Sequence, residues 1–211
     1  EKPFTSEKII ILVKRALESA KLLNENKLLK KIADPQTPLI GNSPFILSLN
    51  KNLKKIAESK SRILITGPRG SGKKLIAQNI HNSIFKNKSL SKIIDFKNLN
   101  DEELIDMFPD EKKEFNSNLF VMSNNDTLIL NNIDFLPINF QKKLLIYLEN
   151  KNLFKKLNIT LDIKIIAITS KNIEQEIEKG NFLRNLYDRL NVVGIKVPSV
   201  SNRREDIIPI C

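Results

Sequence analysis

The stretch GPRGSGKK, residues 67–74, spaces its glycines and lysine as Gly67-x4-Gly72-Lys73. Glycines at that spacing let successive backbone N–H groups converge on phosphate oxygens, and a helix that starts there adds the positive end of its dipole. The apolar run RILIT, 62–66, leads into the loop, and KKLIAQNIHNSIF, 73–85, leads out with helical character. This strand-loop-helix context makes Gly67, Pro68, Arg69, Gly70, Ser71, Gly72, Lys73 and Lys74 a candidate phosphate-binding set. A glycine-rich turn with a merely solvated Lys73 has the same composition, and only the context argues against it.

A second apolar run, TLIL at 127–130, is followed by Asn131 and Asn132. In nucleotide hydrolases with such a loop, Mg²⁺ is held by a loop Ser or Thr together with an acid at the end of a later strand, and a neighbouring carboxylate activates the attacking water. Lys74 has no hydroxyl, Asn131 has no charge, and Asn132 cannot take a proton. Three functional groups are thus missing together, so Mg²⁺ has no obvious holder and no metal ligands are expected. Asp126 and Asp134 flank the asparagines, but strand alternation and the intervening Ile133 make either a poor geometric substitute. The single histidine, His81, is read as a packing or surface residue.

The elements that must position these groups can be followed along the chain. RILIT (62–66), IIDF (93–96), TLIL (127–130), IKIIAIT (163–169) and VVGIKV (192–197) are short, β-branched and apolar throughout. Strands buried on both faces read this way, so an α/β fold is expected, with a parallel five-stranded sheet between helices. Ahead of it, residues 5–32 carry a helical seam through Ile9, Val13, Ala16, Ala20 and Leu23, and DPQTP at 34–38 punctuates the chain as a linker. The 211 residues carry a net charge of +11 with 41% hydrophobic residues. The lysines are scattered, with few aromatics between them, so the charge is read as general composition more than as a nucleic-acid stripe. No run reaches the roughly 18 apolar residues of a membrane span. The lone Cys211 closes no internal disulfide, and a cytoplasmic, soluble setting is expected. The chain opens at Glu1 without methionine and closes on DIIPIC, and it is read as part of a longer protein.

From residue 39 onward the chain resembles the central AAA+ domain of sigma-54-type response regulators of the NtrC and NtrX kind. LIGNSPFILSLNKNLKKIA is similar to the opening of that domain, and ILITGPRGSGKKLIAQNIH to its Walker A strand, loop and helix. DTLILNNIDFLPINFQKKLLIYLE resembles the Walker B strand with the helix after it, and GNFLRNLYDRLNVVGIKVPSVSNRREDI the arginine-finger segment with the stretch after the last strand. KPF with the helix after it resembles the end of a receiver domain. By this resemblance, residues 1–18 are the last receiver helix, 19–38 a helical linker, and 39–211 the AAA+ nucleotide-binding core without its helical lid.

The resemblance implies ATP or ADP as ligand, DNA as partner through a C-terminal domain outside this chain, a sensor kinase acting through the receiver, and self-association. It also implies departures. The Walker B acids fall on Asn131 and Asn132, the sensor asparagine falls on Ser170, one arginine finger falls on Leu183 beside Arg184, and the other is kept as Arg189. Between Lys73 and Lys179 there is no glycine, and PDEKKEFNSN, 109–118, stands in the region of the family's sigma-54 contact loop, GAFTGA. The expected function is a regulator core that binds nucleotide with little or no hydrolysis and without sigma-54 remodelling. A working ATPase of the same fold and a dimerising scaffold that binds no nucleotide are the competing readings.

Overall fold

Each of the five apolar runs forms a strand: β1 (Ile63–Thr66), β2 (Lys92–Asp95), β3 (Thr127–Asn131), β4 (Lys164–Thr169) and β5 (Val193–Lys196). In this computed structural model the described residues are 38–85, 91–108, 120, 123–149 and 162–210. The expected helix over 5–32, nearly all of the linker and the 109–118 segment lie outside the described residues. All pairings are parallel, in the order β2-β3-β4-β1-β5.

Successive strand residues point to opposite faces, and both faces are covered. Leu64, Leu128, Leu130 and Ala167 join a core with Phe108, Phe140, Leu144 and Leu186. Ile63, Ile65, Ile129, Ile166 and Ile168 join another, closed by Leu49 and Leu53 on one helix and Ile76, Ala77 and Ile80 on the next. Each fully buried Ile or Leu contributes about 1.5–3 kcal/mol, so the unbroken apolar strands are explained by two cores and not by one.

Helix α1 (Pro44–Glu58) starts where Ser43 Oγ accepts from the Ile46 N–H, with proline in the first turn. It buries Ile46, Leu49, Leu53 and Ala57 at helical spacing. Its open C-terminal carbonyls at Ile56 and Ser59 accept from Lys164 Nζ at the start of β4. Burial pushes the Lys164 ammonium below its usual range, and the two carbonyls it meets offset part of that cost. Helix α2 (Lys73–Phe85) follows the glycine loop, and α3 (Asp101–Met107) opens on a capping box between Asn100 and Glu103.

Helices α4 (Ile138–Glu149), α5 (Ile173–Glu178) and α6 (Arg184–Leu190) cover the first core, and a short α7 (Ile207–Ile210) ends the described chain. Gln141, fully buried on α4, donates to the Leu136 and Asn181 carbonyls and accepts from the Leu183 N–H. It fixes the turn into α6. No helix among the described residues is long and apolar enough to cross a membrane.

Candidate functional site

Parallel pairing gathers the C-terminal ends of all five strands along one edge of the sheet, which is where open α/β sheets bind ligands. The loop after β1 crosses this edge with Gly70 at φ 76° and Gly72 at φ 82°. A residue with a side chain would be strained at both. Pro68, Arg69, Gly70, Gly72 and Lys74 are exposed, whereas Ser71 and Lys73 are buried. Lys73 Nζ donates back to the carbonyls of Gly67 at 2.8 Å and Pro68 at 2.6 Å. Its charge is held beneath the loop, where burial lowers its pKa, Asp134 raises it and Arg69 lowers it.

A cleft of about 340 Å³ opens over the loop, lined by Arg69–Lys74, Lys97, Asn131, Asn132, Ile168 and Ser170. Four cations, Arg69, Lys73, Lys74 and Lys97, face it, and among the described residues no carboxylate lines it. Beside it, a larger cavity of about 820 Å³ takes in Gly67, Pro68, Phe45, Ser170, Tyr187, Val197 and Pro198.

The two asparagines have a common acceptor. Asp95 ends β2 and is in register with Asn131 on β3. Its Oδ2 accepts from Asn131 Nδ2 at 2.8 Å and its Oδ1 from Asn132 Nδ2 at 2.7 Å. The Lys97 N–H adds a third bond to Oδ1 at 3.1 Å. Asn132 reaches Asp95 because its backbone turns left-handed, at φ 54°, a conformation asparagine tolerates better than most residues. The acid of this region therefore comes from the neighbouring strand, and the last residue of β3 and the one after it act as its donors.

Asp134 does not substitute either. It is buried, accepts from Thr169 Oγ1 at 2.7 Å, and has Lys171 Nζ 3.7 Å from its other oxygen. Asp126 sits before β3, at the opposite end of the strand, where its Oδ1 accepts from the Thr127 N–H and lies 3.7 Å from His81 Nδ1. His81 is fully buried, with its ring centroid 5.0 Å from that of Phe85 and the two planes tilted by 31°, in keeping with a packing role.

Of the residues singled out in the sequence, the structure brings together 67–74, Asn131, Asn132 and Ser170. It places Arg189 apart, on an exposed face of α6, with its Nε 2.9 Å from Glu149 Oε1. Leu183, at the start of α6, is half-buried against the first core. Sequence reasoning missed Asp95, whose signal was only its place as the one acid within IIDF, and also Arg203 and Asp206, which lie behind the loop.

A parallel sheet whose first strand runs through a glycine loop into a buried lysine at a helix start defines a P-loop NTPase fold. The chain belongs to the sigma-54 interaction domain family, whose model matches residues 39–196. It is 40% identical over 217 residues to a putative NtrX-like response regulator of Rickettsia bellii, covering 98% of this chain and 45% of that protein. The crystal structure of NtrX from Brucella abortus in complex with ATP is similar with a TM-score of 0.73 at 30% identity, over 99% of this chain and 49% of that one. The P-loop NTPase domain of an Escherichia coli sigma-54 activator shares the fold alone, with a TM-score of 0.52 at 15% identity over 76% of this chain and 99% of that one. These matches support the assignment to regulators of the NtrC and NtrX kind. The chain spans about half the length of the curated relatives it matches.

Proposed function

We propose that the cleft over residues 67–74 binds ATP or ADP and holds it as a structural or assembly ligand with little or no hydrolysis. The loop fits such a ligand: its glycines take positive φ, the helix Lys73–Phe85 starts at its end, and Lys73 lies beneath it. The observation that carries the second half of the proposal is the pair of asparagine amides bound to Asp95. With those amides as donors, neither Asn131 nor Asn132 offers a base for water, and a missing general base typically lowers turnover by about 10²–10⁴-fold.

Magnesium fits poorly. It prefers carboxylate and phosphate oxygens in octahedral geometry, and among the described residues the cleft lining supplies cations, amides and serines but no carboxylate. On this reading Arg69, Lys73, Lys74 and Lys97 counter the phosphate charge without a metal.

The whole protein is then a transcription regulator of response-regulator type, cytoplasmic, addressed by a sensor kinase, bound to DNA through another domain, and self-associating. Because PDEKKEFNSN, which contains no glycine, stands in the region of the family's glycine-flanked contact loop, it acts without remodelling sigma-54. The deciding experiment is a titration with ATP and ADP, with and without Mg²⁺, joined to phosphate release at saturation. Binding in both conditions with turnover at background is expected. Turnover near 1 s⁻¹, roughly the lower range of ordinary enzymes, would replace this reading with a working ATPase, and no binding would leave only a scaffold.

A further inference from the structure

Behind the phosphate loop runs a buried polar chain to which nucleotide binding as proposed assigns no part. Arg203, 5% exposed, donates from Nη2 to the Ser71 carbonyl at 2.6 Å. Its Nη1 lies 3.4 Å from Asp206 Oδ2. Asp206, fully buried, accepts from the Ser43 N–H at its Oδ1 and from the Ser43 hydroxyl at its Oδ2, each at 2.7 Å. Ser43 in turn caps α1. The Asp206 seat is shaped closely, since a Cβ on Gly41 would lie 2.5 Å from its Oδ1. Three segments far apart in sequence, 41–43, 71–72 and 203–206, meet through charged, desolvated groups. A buried ion pair of this kind is costly unless its hydrogen bonds are well made.

The bond to Ser71 has a directional consequence. A peptide is planar and trans, so its C=O and the next N–H point in opposite directions. Fixing the Ser71 oxygen on the guanidinium turns the Gly72 N–H away from Arg203, to the opposite edge of that peptide. A charge-assisted bond to the oxygen also polarises the peptide and makes that N–H a stronger donor. Without the anchor, Gly70 and Gly72 leave the loop many conformations, and fixing one backbone residue costs about 1–2 kcal/mol in entropy.

We propose that Arg203 is a positioning residue for the phosphate loop: held by Asp206 and Ser43, its guanidinium fixes the Ser71–Gly72 peptide with the N–H presented for a phosphate oxygen. This rests on the proposal that the loop binds nucleotide. It also makes the start of α1 and the segment after β5 parts of one device with the loop, so displacement of either segment is felt at the phosphates.

The test compares ADP affinity per folded molecule in wild type, Arg203→Met, Arg203→Lys and Asp206→Asn, with folded fractions taken from urea curves and adenosine as the ligand lacking phosphates. Losing one charge-assisted bond should weaken ADP by about tenfold or more in Arg203→Met. A smaller loss is expected in Arg203→Lys, which can reach only one of the two partners, and in Asp206→Asn. Adenosine affinity should stay level throughout. If Arg203→Met does not fold, Arg203→Lys decides. Equal ADP affinity in the folded variants and wild type, or an equal loss for ADP and adenosine, overturns the positioning role. Failure of the wild type to bind ADP overturns the nucleotide reading, and this inference with it.

Discussion

Converting Asn131 to Asp and Asn132 to Glu supplies the acids that the sequence lacks, and the structure predicts that this double change damages the protein unless Asp95 is changed too. In the wild type two amides donate to one carboxylate at 2.8 and 2.7 Å. Each hydrogen bond to a charged group contributes about 1.5–3 kcal/mol. The double variant removes both and places three carboxylates together, where one like-charge pair at 4 Å costs about 4 kcal/mol at an effective dielectric near 20. A glutamate in the left-handed conformation of Asn132 adds roughly 1 kcal/mol. Asp95 is half-buried, so screening and proton uptake relieve part of this. A net loss of about 3–5 kcal/mol at pH 7 is expected on that balance. The crowded carboxyls have raised pKa values when folded, so the folded state binds more protons than the unfolded one and the loss should shrink on going from pH 7 to pH 5. Adding Asp95→Asn reverses donor and acceptor and should restore most of the stability. Only this triple variant should acquire Mg²⁺-dependent nucleotide binding. The assay is urea unfolding of wild type, double and triple variants at both pH values. A double variant as stable as wild type at pH 7, with no gain from Asp95→Asn, refutes the reasoning.

Lys73→Ala should weaken ATP and ADP binding by about 1–3 kcal/mol for the lost charge-assisted contact, read by calorimetric titration; unchanged affinity would exclude the loop as the binding site. Burial opposes ionisation of Asp206, but the two bonds from Ser43 and the Arg203 charge outweigh it and hold its pKa below the usual carboxylate value. Its contribution is present above about pH 4 and is lost as pH falls through the lowered native value; Asp206→Asn should therefore be less stable at pH 7 and flatter in acid, by thermal unfolding across pH 2–7. Gln141→Leu strands the Leu136 and Asn181 carbonyls and the Leu183 N–H. A loss of about 2–4 kcal/mol in urea unfolding is expected, since each buried unsatisfied group costs about 1–3 kcal/mol.

The sheet was legible because its strands are apolar on both faces, a pattern few other environments produce. The loop was legible because glycine and lysine spacing is itself the chemistry. Asn131 and Asn132 could be recognised as uncharged, but not what they do, because that depends on β2 lying beside β3. Asp95 lies 36 residues from Asn131 in sequence, and only the parallel register joins them. Arg203 was less legible still. Its partner is a backbone carbonyl, which every residue possesses, so no residue type at the loop betrays it.

The strand order carries a consequence for how the chain is made. Ile63 on β1 pairs with Ile166 on one side and Val193 on the other, whereas β2 finds β3 within a far shorter stretch. During synthesis at about 5–20 residues per second, β1 therefore waits roughly 5–20 s for its first neighbour to be made. Until then its Ile63–Thr66 run, the strand that carries the phosphate loop, has both edges open and its apolar side chains unshielded, the state in which strands attract chaperones or one another. The β2-β3 half can form early, and the half that holds the loop is completed last, when Val193 and Lys196 come into place.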